Sequence, residues 1–192
     1  MCDGWTKTRD LQDQIQPYKP IPRKPYVEVI HKLWMREPVL YIRKSRSMLI
    51  SWIATAECLH YVQTRQPSKA VFWAQDQDRA VILRNYAWDL YDQQDERLKR
   101  LYPVVRGREQ QSFDKLEYRE GSAVIALPGK DPSKIRGEHP TVLMIDEANF
   151  IEHGAEAFDV ALASRVPKIF LVSSAAPSWL EKIAKVARPE AL

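Results

Sequence analysis

Two carboxylates stand side by side, Asp146 and Glu147, directly after four apolar residues, Val142, Leu143, Met144 and Ile145. An aspartate at a strand end can hold a hard cation such as Mg²⁺ through oxygen, directly or through water. The glutamate beside it can polarise a water for attack on a terminal phosphate. Solvated acids closing a strand are the plainer alternative. A second stretch, residues 43–51, is polar and basic and lies between an apolar run at 38–42 and a helical pattern. A standard phosphate loop reads G-x-x-x-x-G-K-[ST], with glycines that let backbone N–H groups approach phosphate. Here neither glycine nor the usual lysine precedes Ser51; Lys44 and Arg46 supply positive charge instead. Ser51 stands where a metal-binding hydroxyl belongs, and the N-terminus of the following helix favours an anion. A basic surface loop is the other reading of this segment. The third stretch, Ser173, Ser174, Ala175, Ala176 and Pro177, follows the apolar run 168–172.

These residues need elements to bring them together. Residues 1–24 read as an irregular arm, because Pro17, Pro20, Pro22 and Pro25 block a continuous helix or central strand. Pro25 suits a first helical position, and 26–36 reads as a short helix. A strand is expected at 38–42, a loop at 43–48 and a helix at 49–63, where Leu49, Ile53, Ala56 and Leu59 recur at helical spacing. A strand at 69–74 and an amphipathic helix after Asp76 and Asp78 come next. Strands at 113–119 and 123–127 flank Gly121 and Ser122 as a hairpin. A polar loop fills 128–140. The strand 141–145, a helix near 155–164 and the strand 168–172 complete the order. Alternating strands and helices argue for an α/β fold with a mostly parallel central sheet flanked by helices. Ligands bind such sheets beyond the carboxyl ends of the strands. All three reactive stretches follow strands, so the topology gathers them on one edge.

Composition narrows the classes. The 192 residues hold 29 Lys plus Arg against 25 Asp plus Glu, a formal charge of +4 that permits nucleic-acid contact without demanding it. No apolar run is long enough to span a membrane, and residues 1–10 lack the pattern of a secretory signal, so a cytoplasmic chain is expected. Cys2 and Cys58 offer no disulfide framework, and Cys58 lies in an apolar helical pattern that reads as core. His31, His60, His139 and His153 are scattered without ligand spacing, so no zinc site is expected on them.

Together the segments resemble the ATPase domain of the large terminase subunit of tailed bacteriophages, the motor that packages DNA. That family often carries a deviant Walker A of the type K-S-R-x-M-G-x-[ST]-W. Lys44, Ser45, Arg46, Met48, Ser51 and Trp52 match it, and Leu49 stands in place of the glycine. Residues 116–129 look like the family's hairpin, 135–137 like its R-G segment, 142–150 like its Walker B and 173–177 like its coupling motif. The resemblance spans about residues 20–177. It implies a P-loop NTPase fold of the ASCE or RecA-like type, with the hairpin as an insertion.

By that resemblance the chain is a Mg²⁺-dependent ATPase, with ATP and Mg²⁺ as its ligands. Asp146 holds the metal with help from Ser51, and Glu147 activates the attacking water. The phosphate loop comprises Lys44, Ser45, Arg46, Ser47, Met48, Leu49, Ile50 and Ser51, with Lys44 and Arg46 on the phosphates. Tyr26 stands in the adenine-contacting segment. Ser173, Ser174 and Ala175 couple hydrolysis to movement. Arg136 either completes a neighbouring subunit's site as an arginine finger or supports its own loop. The implied domain covers 25–180, before a tail at 181–192, and no nuclease domain is expected. The implied partners are double-stranded DNA, a portal protein and the small terminase subunit, around a homo-oligomeric ring in the host-cell cytoplasm, with no membrane.

Candidate DNA contacts are Arg97, Lys99, Arg100, Arg106 and Arg108 with Tyr102 among them, and Lys130 and Lys134. The plainer reading of 97–108 is the wet face of a helix and its exit loop. Three other functions compete. A non-catalytic DNA-binding or assembly module would keep the fold, with Leu49 as its support and the intact acidic pair against it. A helicase-like motor needs a second lobe, and a metabolic nucleotide-binding enzyme lacks a glycine-rich dinucleotide turn.

Overall fold

A computed structural model describes residues 6–10, 13–45, 48–105 and 115–186. In chain order the elements are β1 (Lys7–Arg9), β2 (Tyr18–Pro20), α1 (Pro25–Arg36), β3 (Val39–Lys44), α2 (Ile50–Thr64), β4 (Lys69–Ala74), α3 (Gln77–Asp92) and α4 (Glu96–Leu101). Then come β5 (Lys115–Glu117), β6 (Ala123–Pro128), α5 (Ser133–Glu138), β7 (Val142–Asp146), a 3₁₀ turn (Ala148–Phe150), α6 (Gly154–Ala163), β8 (Lys168–Ser174) and α7 (Trp179–Val186).

Six strands form one sheet in the order β3-β8-β7-β4-β6-β5. Four of its five pairings are parallel, and only β5 runs antiparallel at the edge, beside β6. One strand, β8, lies between the strand before the basic loop and the strand before the acidic pair. Helices cover both faces. On one, α1, α2 and α3 bury Trp34, Ile53, Leu59 and Trp88 against Phe72, Met144 and Phe170. On the other, Ile135, Phe158 and Leu180 pack on Trp73, Ile145 and Leu171. Strands covered on both sides are apolar at nearly every position, which is why 70–74 and 142–145 read as continuous runs.

Several sequence expectations need correction. The strand expected to end at Ile42 continues through Arg43 and Lys44, which pair with Ser173 and Ser174 of β8. Ladder hydrogen bonds belong to the backbone, so two polar residues at a strand's end cost nothing when their side chains leave the core. The 128–140 loop contains α5, held by Ile135 buried in the second core. The arm is not irregular throughout: β1 and β2 pair antiparallel, and Thr6 Oγ1 donates to the Leu90 carbonyl of α3 at 2.5 Å. The expected 113–119 strand is described only from Lys115, where β5 spans three residues; Phe113 lies outside the described residues. The helix α7, Trp179–Val186, runs across the boundary expected at 180.

Two polar devices fix α1. Lys168 Nζ donates to the Trp34 and Glu37 carbonyls at 2.7 Å each, satisfying the helix's C-terminal end. His31 Nδ1 lies 2.8 Å from Glu57 Oε1, tying α1 to α2. Burial pushes the Glu57 carboxyl above its ordinary range, and the neighbouring His31 offsets part of that rise.

Candidate active site

Three strand ends meet here. Adjacent strands lie roughly 4.8 Å apart, so β3 and β7, with β8 between them, end about 10 Å from each other. That gap suits a lysine reaching across. Lys44, the last residue of β3, places its Nζ 2.5 Å from Glu147 Oε1, and its side chain is only 13% exposed. Glu147 sits just beyond β7 in the left-handed region, φ +52°, and the turn aims its carboxylate sideways at β8. There the Ser174 N–H donates to Oε2 at 2.9 Å and the Ser174 hydroxyl to Oε1 at 3.2 Å.

The second carboxylate has a different partner. Ser51, in the first turn of α2, donates its hydroxyl to Asp146 Oδ1 at 2.8 Å. Thr55, one turn later, donates to the Ser51 carbonyl at 2.7 Å. Trp52 stacks on Tyr86 of α3, ring centroids 3.9 Å apart, and packs the start of α2 against α3.

The environments pull the two acids apart. Burial pushes Asp146 above the ordinary carboxylate range, against the opposing pull of the Ser51 bond and the Lys44 charge. Burial also pushes on Glu147, yet the Lys44 bond and the Ser174 donors outweigh it and hold that carboxyl low. Glu147 is therefore ionised through the neutral range, and Asp146 is the deeper oxygen donor.

The basic loop closes the arrangement. Tyr26 of α1 donates its hydroxyl to the Met48 carbonyl at 3.1 Å, joining the first helix to the loop. Leu49 takes the left-handed region, φ +55°, immediately before α2. A branched residue pays for that conformation about 1–2 kcal/mol, and a glycine does not. Leu49 therefore occupies a backbone position that suits glycine. Leu49→Gly is expected to hold or raise stability, because relieved strain of this size exceeds the roughly 0.4–1 kcal/mol of added unfolded-state entropy. A net gain near 1 kcal/mol corresponds to a melting point about 2–4 °C higher, measured by thermal denaturation. A fall of several degrees would show that the Leu49 side chain holds the loop.

Not every expected residue joins the site. Ser45 and Ala175 are exposed. The Ile50 side chain is buried in the first core, so only its backbone can face a ligand. Arg46 and Ser47 lie outside the described residues. Ser173 is buried and its hydroxyl accepts the Asn149 N–H at 3.1 Å. Arg136 lies exposed on α5, and its carbonyl accepts the His139 N–H. Among the DNA candidates, Lys99 pairs with Glu96 at 2.5 Å, Lys130 and Lys134 are exposed, and Arg106 and Arg108 lie outside the described residues. A separate cavity of about 1060 Å³ opens between the arm, α1 and α2, with Val27, Ile53, His31 and Glu57 in its wall; it contains none of the reactive stretches.

Sequence reasoning missed Asn149 and Ser178. Asn149 Nδ2 donates to the Ser174 carbonyl at 2.7 Å, and the Ser178 hydroxyl donates to Asn149 Oδ1. Asn149 is only two residues from the acidic pair, but its partners lie about 25 residues downstream, beyond any local pattern.

No protein-family model matches the sequence, and no curated protein does. Solved structures do match. The HK97 bacteriophage large terminase superposes with a TM-score of 0.66 at 13% identity, over 89% of this chain and 38% of that one. The large terminase ATPase domain of Thermus phage P74-26 gives 0.59 at 17% identity, over 92% and 73%. The N-terminal domain of the DNA packaging ATPase from bacteriophage phi29 gives 0.55 at 12%, over 83% and 85%. The chain thus spans 38% of the length of the HK97 protein. Its fold is that of the phage terminase ATPase domains.

Proposed function

We propose that this chain is the ATP-hydrolysing motor domain of a terminase large subunit, driving double-stranded DNA into a procapsid. The observation that carries the reading is the meeting of Lys44, Ser51, Asp146, Glu147 and Ser174 where β3, β7 and β8 end, within the terminase ATPase fold.

The donor set fits Mg²⁺. Ser51 Oγ and Asp146 Oδ1 are hard oxygens 2.8 Å apart, and among the described residues no cluster of three or more His, Cys, Asp or Glu surrounds them. Mg²⁺ commonly takes only one or two protein oxygens and fills its shell with phosphate and water. Bound there, it would neutralise phosphate charge. Lys44 and Arg46 bind phosphate oxygens, assisted by backbone N–H groups at the start of α2. Tyr26 borders the loop from the adenine side.

Glu147 orients a water and accepts its proton. The water oxygen bonds to the γ-phosphorus while the bond to the β,γ-bridging oxygen breaks, and ADP leaves with that electron pair. Ser173, Ser174 and Ala175 follow the change at Glu147, because Ser174 already holds its carboxylate by two bonds. Arg136, exposed on α5, serves the site of the next subunit in a ring mounted on the portal protein, with the small terminase subunit as a further partner. Exposed lysines grip the DNA backbone without reading its sequence.

The test is ATP turnover by the purified chain, with Mg²⁺ or with a chelator, and with or without double-stranded DNA. Mg²⁺-dependent turnover, stimulated by DNA and less so as salt rises, is the expected result. A chain that neither binds nor hydrolyses ATP under these conditions selects the non-catalytic DNA-binding module instead.

A further inference from the structure

We propose that Asn149 is a positioning residue linking Glu147 to α7, with Ser178 as its partner. The proposal rests on the ATPase reading above and assigns the site an output.

The link is continuous. Ser174 donates its N–H and hydroxyl to Glu147, and the carbonyl of the same residue accepts Asn149 Nδ2 at 2.7 Å. The Asn149 backbone N–H donates to Ser173 Oγ at 3.1 Å, so one residue grips both ends of the β8 exit. Its remaining oxygen accepts the Ser178 hydroxyl. Ser178 Oγ in turn accepts the Leu180 N–H at 3.2 Å, one of the free donors of the first turn of α7.

A second contact runs beside the first. Trp179 Nε1 donates to the Ala148 carbonyl at 3.3 Å, and its ring packs on Phe158 of α6. A Cβ at Gly154 would meet the Ala148 carbonyl at 2.9 Å and the Trp179 ring at 3.2 Å, so this corner has no slack. At its other side α7 holds β3, through Glu181 and Arg43 at 3.0 Å.

Close packing of this kind transmits displacement instead of absorbing it. As Glu147 turns to orient a water, its bonds to Ser174 change, Ser174 shifts against Asn149, and Asn149 carries the shift to Ser178 and the start of α7. Asn149 touches neither reacting atom.

Hydrogen exchange on the full chain reads this directly, with and without a non-hydrolysable ATP analogue and Mg²⁺. In the wild-type chain the backbone amides of 179–186 should change their exchange rate on analogue binding by about 5-fold or more, the lower range of allosteric coupling. In Asn149→Ala the analogue should bind within about 3-fold of wild type, while the response of 179–186 falls below about 2-fold. Turnover should lose kcat and keep KM. Ser178→Ala should behave likewise and Ser178→Thr should restore the response, which separates a hydroxyl link from general damage if Asn149→Ala fails to fold. A wild-type-like response in Asn149→Ala and Ser178→Ala overturns the link, as does a silent α7 in a wild-type chain that binds the analogue. A wild-type chain that does not bind the analogue overturns the ATPase reading as well, and the binding titration shows this before any exchange is measured.

Discussion

Glu147→Gln lowers ATP turnover by about 10²–10⁴-fold, the usual contribution of a positioned base, and leaves ATP binding largely intact. Glutamine has the same shape and can still accept the Ser174 N–H, but it cannot take a proton from water. The charge opposite Lys44 also disappears. That ion pair is mostly shielded, with side chains 13% and 30% exposed, so the stability cost should lie between the roughly 1 kcal/mol of a surface pair and the roughly 3 kcal/mol of a buried one. Binding by nucleotide fluorescence and turnover by phosphate release separate the two effects. Turnover within tenfold of wild type would remove Glu147 from the catalytic role. Loss of binding together with turnover would instead make Glu147 a structural brace for Lys44.

Lys44→Ala acts through two routes, and pH distinguishes them. Losing one charge-assisted phosphate contact costs about 1.5–3 kcal/mol, roughly 10- to 150-fold in ATP affinity. The second route runs through Glu147. Burial raises that carboxyl, and Lys44 leads the groups that bring it down. A carboxylate held low in the fold works, and adds stability, above its ordinary range; both are lost as pH falls through the depressed folded value. Without Lys44 the folded value moves up, so the acid limb of kcat should move to higher pH. Only the Ser174 donors then oppose burial. An acid limb that stays in place would show that Lys44 serves phosphate alone and does not set the ionisation of Glu147.

Much of the site was legible before any fold. The run 142–145 ending on two acids and the basic stretch before a helical pattern are local patterns, and buried parallel strands produce them directly. The terminase-like order of motifs followed from these same segments, and the solved terminase structures bear out the fold. What stayed hidden depends on register and packing. Arg43 and Lys44 read as loop because their polarity was weighed, whereas β8 pairs with their backbone. The α5 helix was hidden in a polar loop, since only Ile135 shows that one side is buried.

Taken alone, then, the sequence determined which residue types could do chemistry, the strand-helix alternation and the sheet edge on which the reactive residues gather. Those properties are set by neighbours along the chain. Only the tertiary structure decided who pairs with whom: Lys44 with Glu147, Ser51 with Asp146, and Asn149 with Ser174 and Ser178. These contacts join residues from about 25 to 103 positions apart, and strand order sets them. The left-handed backbone of Leu49 and Glu147 belongs to the same class. Side-chain type argues against that conformation at both positions, and the packed sheet edge imposes it.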